Sequence, residues 1–299
     1  MSRSWPRSQS SPVFYLNQWA NDKSRLLEFS RPYGDVVKAR PSSPVGTGYV
    51  EGLYRLPGVS DELAEEIENK FFKHIDDFAS YAHKKLLRKY MINWSPRMRM
   101  AWAHFIMGVL IRSPKAVADT KLTLAGGMPE LWEEARTKFK DLGEYNQELI
   151  DRIALRSLQR FINQPALLEF IAGMRWSVCD LSKTKFRFLT SDRPIVMTDG
   201  LGYPESHLAV PVSPTILFLA TNTEETERSI QSMHPKELVG NCNKQVVRHA
   251  IKYVWAPDHA QFSLIKAQMS SEAHLDRKWF KDYTGPPREL IPAAKKVVV

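Results

Sequence analysis

The order in which hydrophobic period changes along the chain constrains its fold more than any other feature. Short β-forming runs occupy the first sixty residues, helical spacing takes over from Ser60 to about residue 174, and β-forming runs return from Trp176. Strands, then helices, then strands without strict alternation predict an α+β fold rather than a doubly wound sheet. The expected architecture is a central helical bundle between N-terminal short strands and a C-terminal mostly antiparallel sheet. At 299 residues the chain fits a single α+β domain over 1–285, with strands in 12–56, helices in 60–174 and the sheet in 176–256, followed by a loose tail over 286–299.

Within that frame, "VFYLNQW", "RLLEFS" and "DVVKAR" read as strands broken by Asn21-Asp22 and Pro32-Tyr33-Gly34. Ser60 before Asp61 and Glu62 has the chemistry of a helix N-cap, opening a long helix to about Tyr90. The run "SPRMRMAWAHFIMGVLIRSP" pairs Ser95 as N-cap with Pro96 at the first helical position and closes before Pro114. It is apolar almost all round and is therefore the expected central buried helix. "MPELWEEARTKFK", "EYNQELIDRIALRSLQRFI" and "PALLEFIAGM" supply further helices. "WSVCDL", "KFRFLT", "IVMT", "LAVPV", "TILFLA" and "IKYVWA" supply the late strands, with a helix at "KELVGNCNKQVVRH".

The longest apolar run, Met100 to Ile111, contains His104 and falls short of the roughly 18 to 20 residues a bilayer span needs, so no membrane segment is expected. The basic, polar start lacks the apolar core of a secretory signal. Cys179 and Cys242 are the only cysteines, too few for a disulfide framework, and a reducing cytoplasmic setting fits them. A net charge of +9 creates a field that attracts nucleic acid or an acidic protein partner. The chain lacks G-x-S-x-G, H-E-x-x-H, a P-loop and G-x-G-x-x-G, and its eight histidines have no zinc-like spacing. No metal is assigned, and nothing in the sequence identifies a cofactor or an oligomeric state.

Several polar residues stand out against this background. On a helix at about 100° per residue, Leu63, Ile67, Phe71, Ile75 and Phe78 form one stripe, and Glu68 falls inside it. A carboxylate there needs a partner. Arg112 is the first expected partner, with Arg99 behind it, because these two arginines bracket the apolar helix. Arg152, Arg156 and Arg160 recur every four residues opposite Ile150, Ile153, Ala154, Leu158 and Phe161. Such a row is either a solvated basic face or a patch that tracks phosphates. In "FLTSDRPIV", Asp192 precedes Arg193-Pro194 at a junction of β-like runs. One reading makes it a turn cap that accepts main-chain hydrogen bonds, with Asp192→Asn keeping the turn. The other places Ser191 and Asp192 opposite Glu68 and Arg112 in a polar pocket at a strand end.

The stretches "SPVFYLNQWA", "EGLYRL", "LIRSP" and "FLTSDRPIV" together resemble the domain-of-unknown-function family 4238. Its members open with an H-Y-V-P-Q-F-Y-L-like motif and later carry F-I-T-S-D-N-P-V and P-L-S-P. Pro12 to Leu16 matches the end of the first, Phe188 to Val196 the second, and Pro211 to Pro214 the third. "NKQVVRHAIKYVWAP" has the family's look as well. The family's N-terminal His falls near Gln9 or Ser8, and Arg193 replaces the usual Asn. The resemblance implies a shared fold and site but lends no activity. Two function classes follow from the residues. One is a hydrolase-type enzyme acting on nucleic acid, with Asp192 and Glu68 as general base or ion ligands and Arg112 as anion stabiliser. The other is a non-catalytic binding protein whose basic surface, with Ser191, Arg193, Arg152, Arg156 and Arg160 as binding candidates, engages nucleic acid or an acidic protein.

Overall fold

The computed structural model describes residues 7–9, 11–51, 71–88, 94–112, 133, 137, 147–198, 200–269 and 289–292. The fold is α+β, and its described strands form antiparallel sheets. The first sheet has the order β3-β2-β10-β6, from Val36–Ser42, Leu26–Tyr33, Val254–Ala256 and Thr190–Ser191. The second has the order β5-β9-β8-β7, from Arg175–Asp180, Ile216–Thr221, His207–Ser213 and Val196–Met197. A short pair joins β1 (Arg7–Gln9) to β4 (Tyr49–Glu51). Strand β10 places the N-terminal hairpin and the C-terminal β region in one sheet, as Val254 faces Phe29 on one side and Ser191 on the other.

The second sheet is buried on both faces, which explains why β9 reads as an unbroken apolar run rather than an alternating one. Leu208, Val210 and Val212 of β8 with Ile216, Phe218 and Ala220 of β9 face one core. Ala209, Leu217 and Leu219 face another. The helices α2 (Lys73–Leu87), α3 (Pro96–Ile111), α4 (Gln147–Ile162) and α5 (Pro165–Gly173) contribute to the first core. The helices α6 (Glu224–Gln231), α7 (Pro235–His249) and α8 (Phe262–Gln268) contribute to the second. Helix α3 is buried along its C-terminal two-thirds, from Trp102 to Ile111 with His104 and Leu110 half-buried, and Ser95 caps it as its sequence requires, its Oγ accepting from Met98 N–H at 3.3 Å. No helix among the described residues is long and apolar enough to cross a membrane.

Three expectations about elements are corrected. "VFYLNQW" is a helical turn, α1 (Val13–Leu16), running into a 3₁₀ turn over Asn17–Trp19. Its buried residues Tyr15, Leu16 and Trp19 share one helical face, so tertiary burial overrides the β propensity of the run. In "KFRFLT" only Thr190–Ser191 joins a ladder, because upstream the Leu189 N–H is taken by Asn243 Oδ1 at 2.8 Å and the Phe188 N–H by the Pro214 carbonyl at 2.8 Å. On α2 the buried line runs Ile75, Ala79, Ala82, His83 and Leu86, leaving Phe78 39 % exposed.

Candidate functional site

The segments that carry the family motifs interlock at a dry junction between the two sheets' chain segments. Tyr15 in α1 is buried, and its hydroxyl lies 2.8 Å from Thr190 Oγ1 and donates to the Pro211 carbonyl at 2.6 Å. One hydroxyl thus ties the first motif to the second and the third. Burial raises the Tyr15 phenol well above its ordinary value, which keeps it a neutral donor. Nearby, Trp19 Nε1–H donates to the Phe188 carbonyl at 3.0 Å.

Asp192 ties the second motif to the late one. It is buried, and its Oδ1 accepts from Ile251 N–H at 2.8 Å while Oδ2 accepts from Lys252 N–H at 2.7 Å and Tyr253 N–H at 3.1 Å. Its own N–H donates to the Tyr253 carbonyl. The capping is therefore long-range, closing the loop between α7 and β10 rather than the local turn. The local bond belongs to Ser191, whose Oγ accepts from Arg193 N–H at 3.1 Å. Burial pushes the Asp192 carboxyl up to about 6, against the opposing pull of the three backbone N–H groups and Arg193.

Arg112 is buried at the end of α3 and forks onto Asp76 of α2, each nitrogen–oxygen distance being 2.9 Å, with its guanidinium carbon 4.2 Å from the centre of the Phe72 ring. Glu68, the expected partner, lies outside the described residues. Burial raises the Asp76 carboxyl while Arg112 pulls it back. Arg99 needs no acid. It donates to the carbonyls of Ala172 and Met174 at 2.6 Å each, at the C-terminal end of α5, and lies 4.0 Å over the Trp176 ring. The hydrogen-bond partners of Asp192 and of Arg112 belong to different elements and none is shared.

Arg152, Arg156 and Arg160 are all exposed along one face of α4, and Arg156 donates to Gln159 Oε1 at 3.1 Å. The buried residues of α4 are Ile150, Asp151, Ala154, Leu155 and Ile162, and Phe161 is turned outward, 52 % exposed.

Two arrangements escaped sequence reasoning. The first is a polar row across the first sheet. Arg40 donates to both oxygens of buried Glu28, at 2.7 and 3.1 Å, Thr47 Oγ1–H donates to Glu28 at 2.5 Å, and Trp255 Nε1–H donates to Thr47 at 2.9 Å. Arg40, Glu28, Trp255 and Thr190 are direct cross-strand neighbours. A signal was present, since Glu28 shares its strand face with Leu26, which is buried. The second is a groove of about 690 Å³ where α2, α3 and α4 meet. Among the described residues, no group of three His, Cys, Asp or Glu side chains is placed to hold a metal ion.

This fold and junction define an α+β protein whose motif segments are joined to one another through buried hydrogen bonds. The chain belongs to the family described as protein of unknown function DUF4238, whose model matches residues 12–260. No curated protein and no solved structure matches the chain. Positions 8 and 9, where the family's histidine falls, lie in β1 opposite Val50 and Tyr49.

Proposed function

We propose that this chain is a non-catalytic, cytoplasmic binding protein whose basic surface engages nucleic acid. The observation that carries this reading is the state of Asp192, the strongest acid–base candidate in the sequence. It is 7 % exposed, and both carboxylate oxygens are occupied by backbone N–H groups of one loop. A general base must reach a substrate proton within hydrogen-bond distance, and a carboxylate closed over its own backbone offers no such approach. By contrast, Arg152, Arg156 and Arg160 stand in solvent with the geometry of a phosphate-tracking row, on a chain of net charge +9. Arg193 flanks the junction and is the second basic contributor. The free, buried thiols of Cys179 and Cys242, pushed up by burial to about 11 and about 12, fit a reducing compartment.

The hydrolytic reading, with Asp192, Glu68 and Arg112 acting together, has one observation in its favour. A carboxyl held at about 6 has the acidity of a working general base. The same burial that raises it removes it from substrate.

Fluorescence anisotropy with labelled single-stranded and duplex oligonucleotides over a salt series tests the proposal. The affinity should fall steeply with salt, the logarithmic slope being about 0.9 per neutralised phosphate for duplex. Neutralising Arg152, Arg156 and Arg160 together to Gln should reduce that slope by about 2 to 3. Binding that ignores salt or survives the triple change overturns it. Nuclease activity abolished in a folded Asp192→Asn variant would establish the hydrolytic reading instead. Selective capture of an acidic protein, with no nucleic-acid binding, would replace the nucleic-acid partner.

A further inference from the structure

The groove between α2, α3 and α4 is a concavity separate from the motif junction, and it adjoins the arginine face of α4 at Gln159, whose Oε1 accepts from Arg156. Its apolar lining comes from Phe71 and Ile75 of the α2 region, Phe78 of α2, and Met100 and Ala101 of α3. Polar groups enter from three helices: His74 from α2, Arg97 and His104 from α3, and Gln159 and Asn163 from α4. Among the described residues no carboxylate lines it. Its volume lies within the range of small-molecule sites, which combine an apolar body with a few convergent polar groups.

Arg97 is the permanent charge among the described lining residues. Arg97 is exposed, with its guanidinium carbon 5.3 Å from the centre of the Phe78 ring. That ring in turn receives His74 edge-to-face at 4.8 Å. His104 Nδ1 lies 2.9 Å from the Met100 carbonyl, an atom that only accepts, so Nδ1 carries the proton and Nε2 is the ring atom left to face a ligand. Gln159 and Asn163 carry amide groups that both donate and accept. A guanidinium, an imidazole and two amides that line one groove with phenylalanine and methionine suit a single-headed anion with an apolar body.

We propose that this groove binds a free monocarboxylate with an apolar chain, the carboxylate at Arg97 and His104 and the chain over Phe71, Ile75, Phe78 and Met100. The guanidinium fork suits the planar carboxylate, and the exposed Phe78 ring and the flexible Met100 side chain give the chain an adaptable apolar surface. None of the groove's lining residues belongs to the arginine row, and the two meet at Gln159, whose Oε1 accepts from Arg156.

Isothermal titration of the full chain with dodecanoate, dodecyl phosphate, dodecanol and dodecylammonium tests the assignment. Saturable one-to-one binding of dodecanoate is expected, with dodecanol at least about tenfold weaker and dodecylammonium silent. Arg97→Gln, a change at an exposed position, should weaken dodecanoate about tenfold and leave dodecanol unchanged. Phe78→Ser should weaken both. Arg97→Gln should melt at the wild-type temperature, and if it does not it is replaced by Arg97→Lys, whose retained charge should hold part of the affinity. Phe78→Ser should melt lower, because that ring is only 39 % exposed, and if it fails to fold it is replaced by Phe78→Leu, which should weaken both ligands less. A double variant of Arg152→Gln with Arg160→Gln, which leaves the Arg156–Gln159 contact in place, should bind dodecanoate as wild type does, which separates this site from the polyanion surface. Equal affinity for dodecanol and dodecanoate, an unaffected Arg97→Gln variant, or no saturable binding overturns the proposal. Preference for dodecyl phosphate over dodecanoate overturns the carboxylate assignment.

Discussion

Asp192 concentrates the chemistry of this molecule at the residue scale. Each of its oxygens holds the loop over residues 251 to 253 in place by accepting from backbone N–H groups of that loop. Asp192→Ala should therefore destabilise the protein by about 1 to 3 kcal/mol, because three part-buried N–H donors lose a charged acceptor at once. The Asn variant is not the mild change that a local turn would permit. Both oxygens accept, so an amide nitrogen must face at least one N–H, and a loss of about 1 to 3 kcal/mol is expected. Chemical denaturation of the two variants checks this, and wild-type stability in Asp192→Ala would refute the account. Protonation at His83 supplies a second test. Burial holds its imidazole at about 4 against an ordinary 6.5, while its Nε2–H donates to the Val212 carbonyl at 2.8 Å. The unfolded chain binds more protons than the folded one across that window, so the stability from a neutral His83 is complete above pH about 6.5 and is lost as pH falls toward about 4. Buried His249, also lowered to about 4, acts in the same direction. Asp192 opposes them. With its carboxyl raised to about 6, the folded state takes up the proton first and gains stability as pH falls from about 6 to about 4. His83→Gln should flatten the acid side of the Tm–pH curve and Asp192→Asn should steepen it. Calorimetry between pH 4 and 7 distinguishes these outcomes from unchanged slopes.

At the scale of elements, the helices are joined by charged groups as well as by apolar faces. Arg112 fixes the end of α3 to the first turns of α2 through Asp76, and Arg99 fixes the start of α3 to the end of α5. Removing one partner of a buried pair leaves the other charge without compensation, so Arg112→Ala should cost about 3 kcal/mol. Asp76 keeps 23 % of its side-chain exposure, which places the cost at the lower end for such pairs. The double variant Asp76→Leu with Arg112→Met should recover at least half of that loss, because well-packed apolar residues replace buried ion pairs at little cost. A double variant no more stable than Arg112→Ala, measured by urea denaturation, would show that the pair has no such replacement.

Across the whole molecule, the N-terminal hairpin and the C-terminal β region share one sheet. The β2–β3 hairpin pairs with β10, the Glu28–Thr47–Trp255 chain crosses that pairing, and Tyr15 anchors α1 beneath β6 and β8. Neither β region completes the first sheet alone. Unfolding should accordingly be one cooperative transition, with tryptophan fluorescence and far-ultraviolet circular dichroism giving coincident midpoints. A fragment beginning at residue 147 should fail to fold, because Trp255, buried against Thr47, would lose its cover. Two resolved transitions or a folded fragment would divide the chain into separate units.

The sequence by itself determined the α+β class, the buried α3 with its Ser95 cap, the exposed arginine face of α4 and the family to which the chain belongs. Each rests on period, capping chemistry or short motifs, which are local and survive without knowledge of the rest of the chain. Tertiary structure alone decided that "VFYLNQW" is helical, that most of "KFRFLT" hands its backbone bonds to Asn243 and Pro214, and that Asp76 is the carboxylate on Arg112. It also decided what Asp192 holds. A carboxylate's need for donors is legible in its chemistry, but the donors stand about sixty residues away, on a loop brought near only when β10 pairs with β6. Burial and pairing between distant segments are properties of the packed chain, and no local pattern encodes which of several acids meets which donor.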